Sequence, residues 1–522
     1  DAKYHYATLD LSRTPARDIV EQPPFKIGEL SRAKPRPISV QAIAYTSSLP
    51  LVATSDAYSE AHGLSTRVFG NKVEARPSSL RDFGSFLSEF LDLYLPLPSC
   101  VICDLYEGAP DAHAQCYRDW NSLDRVPRSV ALKHDAALAD VKLGLRSSDH
   151  RRTGFVKVEL ITGKSLVIRY EEIDERIIQD VSGKVHVTLG PYMYAQSKFM
   201  AKTWCSDNWV CYASGITTEQ AGAALDTGRA YYVGDLSRFD RSIHKHTLAS
   251  LNAWRAKQIH LSGDARRCLD NQLVTRGATM KGRHEYKVPG QRKSGDDNTS
   301  CDNTILNIAA HAWVIARYHN LALAELPKRC KIMALGDDIV VQGDPEVVRS
   351  PFGERLALIG WTPKPRVAFE LCDVDFCSRI PWPSTNGIKF AARPGRALAR
   401  FPFSAVHPCP VDVGTKAYGL YLDNAHVPFL RRYLERCLEL HPVKAQLKTQ
   451  EWQFRPSSDT PIAHPVDGTW VMLYELYGLT RADEDAYASR LQAWDGRPCF
   501  SDDHVVNYLF SVENIGGTVS VL

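Results

Sequence analysis

No apolar run in this 522-residue chain approaches the ~18 residues of a membrane-spanning helix. Repeats with a period of about 20–50 residues and low-complexity segments are also missing, which excludes solenoids and fibrous arrays. Neither sign of charge dominates: 63 Lys and Arg face 60 Asp and Glu, a net charge of +3. That balance does not mark a nucleic-acid binder by charge, and it leaves local basic channels open. Thirteen cysteines lack a framework. Cys100 and Cys103 have zinc-like spacing, but no second pair follows and no histidine cluster completes them. Free thiols in a reducing compartment are expected. The chain starts at Asp1 without a Met or a basic-then-apolar leader. A processed product or a piece of a longer protein is expected, from which membrane-targeting segments can be lost.

What is present is ordinary globular material, 44% hydrophobic and 24% charged, long enough for two to four domain-sized units. Residues 1–60 are rich in Pro and basic residues ("SRAKPRPIS") and read as an extended arm around something larger. Apolar spacing at three and four predicts a helix over 81–95. From 153 to 190 the pattern is strand-like: "GFVKVELI", "SLVIRYEEI", "ERIIQDV", "KVHVTLG". Beyond about 395 it is mostly helical, as in "VPFLRRYLERCLELH" and "GTWVMLYELYGL".

Gly-Asp-Asp occurs twice, at 295–297 and 336–338. The second copy sits between two apolar runs, Ile332–Leu335 and Ile339–Val341, a hairpin pattern in which Gly336 takes the positive φ of the turn. Two acids at a rigid tip repel each other, and a divalent cation relieves the repulsion. Alone, the tripeptide fits a solvated turn equally well. Asp235 tips the balance, because it ends another apolar strand, Tyr231–Gly234, that can lie beside the hairpin. Three carboxylates from two strands suit two Mg²⁺ ions and phosphoryl transfer. The first copy precedes a long helical pattern, so Asp296 or Asp297 is expected to cap that helix. Thr299 and Asn303, four apart, share one of its faces. His244 and His246 read as an ordinary polar helix face.

In order, "DLSRFD" (235–240), "SGDDNTSCDN" (294–303) and "GDD" (336–338) resemble motifs A, B and C of viral RNA-dependent RNA polymerases. They match D-x4-D, S-G-x3-T-x3-N and G-D-D, and the first two look most like polymerases of tombusvirus- and nodavirus-like positive-strand viruses. The resemblance implies an α+β right-hand fold with an antiparallel palm sheet backed by helices. Its divisions would be an N-terminal arm and fingers extension (1–100), fingers (101–230), palm (231–260), a fingers insertion (261–290), palm (291–385) and thumb with tail (386–522). Asp235 and Asp337 would hold two Mg²⁺ ions, Mn²⁺ being tolerated, with Asp338 in support. Asp240 and Asn303 would read the ribose 2′-hydroxyl, which separates RNA from DNA substrates. Ser294 and Gly295 would form the loop beside the template base, and Thr299 would help hold Asn303 and Asp240.

Upstream, "FVKVE" (155–159) and "ERIIQD" (175–180) resemble motif F, so Lys157 and Arg176 would grip the nucleotide triphosphate. Here the pattern departs: Asp174-Glu175 stands where a Lys-Pro pair is usual, leaving Arg169 or Lys164 as the second cation. "GWTPK" (360–364) resembles motif D, with Lys364 the general acid toward pyrophosphate. "DFCSRI" (375–380) resembles motif E, where Phe376 and Cys377 are expected to pack. Lys389, Arg393, Arg396 and Arg400 would meet the phosphates of nascent RNA.

The implied function is RNA-templated RNA synthesis from ribonucleoside triphosphates for viral genome replication and transcription. It would run in a cytoplasmic replication complex with other viral or host replication proteins. A reverse transcriptase is disfavoured by Gly336 and by the Asp240/Asn303 pair, and an inactive RNA-binding replication or assembly factor by the intact acids. The tail "FSVENIGGTVSVL" is a candidate for the product channel.

Overall fold

The Gly336 hairpin forms as its pattern predicts, and a central sheet is built around it. The computed structural model describes residues 39–45, 50–70, 73–123, 126–161, 175–225, 229–405, 412–443 and 461–515. Lys164, Arg169 and the last seven residues of the tail lie outside them. Five strands make the sheet: β1 (Val210–Tyr212), β2 (Ala230–Leu236), β3 (Cys330–Leu335), β4 (Asp338–Gly343) and β5 (Pro363–Ala368). Their spatial order is β5-β2-β4-β3-β1. All pairs are antiparallel except β3 with β1, where Ile332 lies beside Val210 in a parallel edge. The expected antiparallel sheet therefore carries one parallel strand.

Register follows from burial. Ile332, Met333, Ala334, Ile339, Val340 and Val341 are all buried, so β3 and β4 are covered on both faces. One cover is the helix Thr299–His319, whose residues 301–316 are buried. Each fully buried Ile or Leu is stabilised by about 1.5–3 kcal/mol relative to exposure. Packing therefore places this helix. Its N-cap Asn298 makes no side-chain capping bond. On the far side the helix meets Pro77–Tyr94, where Trp313 Nε1 donates to Asp82 at 2.8 Å.

A second sheet joins Glu285–Pro289, Val274–Thr279, Arg152–Val156 and Ile177–Asp180 in that order. One expected strand is a helix instead. "KVHVTLG" alternates like a strand, yet Gly183–Thr203 is helical, with Ser182 Oγ accepting from Lys184 N–H at 3.3 Å. Val185, Leu189 and Met193, buried at spacings of four, face the apolar core, so helical burial overrides local alternation. A separate apolar core links residues 380–434 to the helices Asp467–Tyr477, Arg481–Leu491 and His504–Val512. The described part of the N-terminal segment ties these bodies together. Ser39–Val40 pairs with Phe403–Ser404, Ile43–Tyr45 with Cys499–Ser501, and Leu51–Val52 with Leu160–Ile161.

Candidate active site

The sheet register brings the acids of two motifs to one edge. Ile339 pairs with Gly234, so the next step along both strands sets Asp338 beside Asp235. Gly336 has φ +65° and no atom within 4 Å of an added Cβ, so the turn needs its conformational freedom rather than its size. The turn is also held from below. Thr304 Oγ1 accepts from Gly336 N–H at 2.8 Å, and Asn307 Nδ2 donates to Gly336 C=O at 3.0 Å. Both clamping residues lie on the helix Thr299–His319, and both are buried.

Crowding shows in the acid strengths. Asp338 is pushed up to about 7 by burial first, then by the charges of Asp337 and Asp235, while a hydrogen bond from Cys377 pulls it down. Asp337, exposed at the tip of the turn, is raised by partial desolvation of its carboxyl, then by Asp235 and Asp240, against its own backbone N–H and Arg176. On β5, Lys364 pairs in register with Asp235, and its Nζ lies 2.8 Å from Asp235 Oδ2. Among the described residues, no choice of one oxygen each from Asp235, Asp337 and Asp338 puts all three within 4.8 Å. The three acids are neighbours without converging. An all-oxygen donor set in which Asp337 and Asp338 are raised by the charges of their neighbours fits a divalent cation, which would draw the acids together.

Motifs A and B meet directly. Asp240 accepts from Asn303 Nδ2 at 2.7 Å and from Ser294 Oγ at 2.5 Å. Arg292 N–H donates to Asp240 C=O at 2.8 Å, fixing the loop that carries Ser294. Gly295 has φ +141°, and a Cβ there would stand 2.8 Å from Gln179 O, so this glycine is needed for close approach. The Thr299 hydroxyl is not bonded to the Asn303 or Asp240 side chains. Its hydroxyl bonds Lys293 C=O (2.7 Å) and Asp296 C=O (2.9 Å), closing the loop on itself.

Nor do the first pair of aspartates cap the helix. Asp296 Oδ1 meets Arg152 Nη2 at 2.5 Å, both side chains buried, and Asp297 meets His186 Nδ1 at 3.0 Å. Burial alone would lower the His186 pKa. Asp297 and Asp180 override it and push it up to about 10. Charge partners across the fold claim these carboxylates before the helix end can. Deeper still, Asp302 accepts from Arg255 and, at 2.8 Å, from Arg292, with all three side chains almost wholly buried. Sequence reasoning passed over Asp302, Thr304, Asn307 and His186. For Asp302 a signal existed: an acid on a helix that is apolar all round needs a buried cation.

A cavity of about 1240 Å³ is lined by His186, Asp240, Ser294, Asn303, Asp337 and Asp338, with Asp235 outside its lining. Arg67, Arg176, Arg238 and Arg241 supply positive charge to its wall. Lys157 is absent from the lining. Lys157 and Arg176 share one carboxylate, Glu159, at 3.5 and 3.6 Å.

Two of the four cations expected on RNA lie elsewhere. Lys389 is buried and paired with Glu219 at 2.8 Å, where RNA phosphates do not reach. Arg393 is drawn inward to Asp375 at 3.2 Å, with Glu513 nearby. Lys389 is buried against an acid of another element and Arg393 is part-buried against Asp375, partners that local sequence does not announce. Arg396 is half-buried, and its backbone N–H donates to Glu513. Arg400 is exposed. Phe376 is fully buried, as expected.

Acids crowded on a sheet edge, guanidinium groups on a cavity wall and a hydrogen-bonded amide–carboxylate pair beside them make a class of site with the chemistry to hold divalent cations and anionic, hydroxylated ligands. The sequence relationships narrow it. A family model described as viral RNA dependent RNA polymerase matches residues 134–407, more than half of the chain. The chain belongs to that family. The RNA-directed RNA polymerase of Tobacco necrosis virus (strain A) is 25% identical over 293 residues, 53% of this chain and 37% of the relative. That of Tomato bushy stunt virus (strain Cherry) is 24% identical over 377 residues, 66% of this chain and 43% of the relative. The chain thus spans less than half the length of the relatives it matches.

Proposed function

We propose that this chain carries the catalytic centre of an RNA-directed RNA polymerase, acting on ribonucleoside triphosphates, an RNA template and a growing RNA strand. The observation that carries the reading is that Asp338, beside Asp235 in the sheet, and the hydrogen-bonded Asp240 and Asn303 share one cavity. In this reading the palm (231–260 and 291–385) holds four of the sheet's five strands, and the parallel edge strand Val210–Tyr212 comes from the stretch read as fingers. The fingers are 101–230 and 261–290, with 1–100 their arm, and 386–522 is the thumb and tail. Asp235 and Asp337 would hold two Mg²⁺ ions, with Asp338 supporting. Bound there, the metal neutralises phosphate charge and lowers the pKa of the attacking hydroxyl.

The chain's own groups do the positioning. Asp240 and Asn303 offer a preassembled carboxylate–amide pair to the 2′-hydroxyl. A deoxyribose leaves that pair without its ligand. Arg176, exposed on the cavity wall, would take the triphosphate, with Lys157 beside it. Ser294 and Gly295 would support the template base. Lys364, released from Asp235, would give its proton to the departing pyrophosphate. Arg400 and Arg396 remain the candidates for nascent-strand phosphates. Synthesis would serve viral replication in the host cytoplasm with other replication proteins.

Template-directed ribonucleotide incorporation by wild type beside Asp337→Asn tests this. Activity in wild type and its loss in the variant are expected. Equal incorporation by both would refute the site, and RNA binding without any incorporation would make the chain a non-catalytic factor.

A further inference from the structure

Far from the acids, three metal-type ligands gather where no function has been assigned. Cys100 and Cys103 flank the start of the short helix Val101–Leu105, and His113 lies in the first turn of Ala112–Asn121. Glu107 (φ +51°) and Gly108 (φ +74°) turn the chain between them. One donor atom from each of Cys100, Cys103 and His113 lies within 4.8 Å of the other two. The sulfurs are 2.6 Å apart, and Cys100 Sγ is 4.0 Å from His113 Nε2. Cys103 N–H donates to Cys100 Sγ at 3.2 Å, which fixes where that sulfur points. An edge contact with Tyr192, at 6.1 Å between ring centroids, orients the His113 ring. From sequence, the Cys pair lacked partners. The fold supplies a histidine in place of a second cysteine pair.

We propose that Cys100, Cys103 and His113 bind one zinc ion, a proposal independent of the polymerase reading. Two thiolates and an imidazole match zinc's preference for sulfur and nitrogen, and they suit the hard cations of the active site poorly. The C-x2-C spacing is that of zinc ligands. Cys116 is not in the set, since its thiol bonds Pro191 C=O at 3.3 Å. His113 is exposed, so water takes the fourth position on the solvent side. The ion would staple two helices that both pack on Gly183–Thr203. That helix follows directly on the strand whose Gln179 N–H donates to Ser294 C=O. The rival is a disulfide between the neighbouring cysteines.

Metal content and native mass of the purified full chain decide it, with Co²⁺ replacing zinc as an optical probe. One zinc per chain and a cobalt–thiolate charge-transfer band are expected. Cys103→Ser should abolish both. His113→Ala, at an exposed position that leaves folding intact, should weaken Co²⁺ binding by more than the roughly 10–100-fold that loss of an outer partner costs. Cys372→Ser, a distant half-buried thiol, should change neither. Zinc-free wild type, metal retained undiminished by Cys103→Ser or His113→Ala, or a mass lower by two hydrogens from a Cys100–Cys103 disulfide would each overturn the proposal.

Discussion

Thr304→Val deletes a single hydroxyl and tests whether the Gly336 hairpin is aimed from beneath. The hydroxyl accepts Gly336 N–H at 2.8 Å and donates to Ser300 C=O at 2.7 Å. Losing it strands a donor. A fully buried donor would cost about 1–3 kcal/mol, and because Gly336 is half-buried we expect ~1–2 kcal/mol. Asn307→Ala removes the 3.0 Å bond to Gly336 C=O and hollows a fully buried site, for ~2–3 kcal/mol. Both bonds hold one residue, so the double variant should depart from additivity by about 0.5 kcal/mol or more. The larger effect should fall on rate, because Gly336 leads directly into Asp337. A shift of ~1 Å in a reacting group can cost about 100-fold. Thr304→Val should therefore slow single-nucleotide incorporation by ~10–100-fold at temperatures where it remains folded. Urea unfolding of the four proteins, paired with single-turnover incorporation, measures both. Additive stabilities with an unchanged rate would mean the sheet alone positions the tip.

Asp302→Asn leaves Arg255 and Arg292 buried without their counter-charge, and should cost about 3–5 kcal/mol in urea unfolding. An unchanged midpoint would refute the pairing. Without metal, Asp338 has a folded pKa of about 7, above the ordinary carboxylate value. The folded state then holds more protons than the unfolded one between about pH 4 and pH 7, so stability falls as pH rises through that window. In EDTA this loss should be of order 1–2 kcal/mol after allowance for partial exposure, and Asp338→Asn should flatten the slope. A slope that survives the substitution would assign the effect elsewhere. Lys389→Met should destabilise the fold by stranding Glu219 and leave RNA affinity unchanged. Arg400→Ala should keep stability and lower the salt dependence of RNA binding by about one ion. The reverse pattern would restore Lys389 to the RNA surface.

These contrasts mark what local sequence carries. The hairpin and β2 were legible because a short continuous apolar run, a turn glycine and flanking acids are short-range signals. Alternation misled at "KVHVTLG", where Val185, Leu189 and Met193 are also four apart and the neighbouring helices select that period. Asp240 and Asn303 were legible as spaced motifs, and their 2.7 Å hydrogen bond realises the pairing. The partners of Asp296, Asp297, Lys389 and Arg393 lie between 18 and 170 positions away, at Arg152, His186, Glu219 and Asp375. Nothing in a window of sequence reports such a partner, so a buried cation and a phosphate-binding cation look alike until the fold closes.

The two Gly-Asp-Asp tripeptides show how one local sequence divides by context. At 336–338 the glycine is free of steric pressure and needed for its φ, and the acids after it are crowded by Asp235 and Asp240, with the Cys377 thiol and the charge of Arg176 offsetting part of the repulsion. At 295–297 the glycine is pressed against the Gln179 backbone, and each acid is matched by a base from another element. Acids crowded together without an ion-pair partner store repulsion that a bound cation relieves. Matched acids spend theirs on holding a loop in place. On this argument the first tripeptide serves the second: Arg152 and His186 anchor the loop, the loop presents Ser294, and Ser294 with Asn303 holds Asp240 beside the acids of the hairpin.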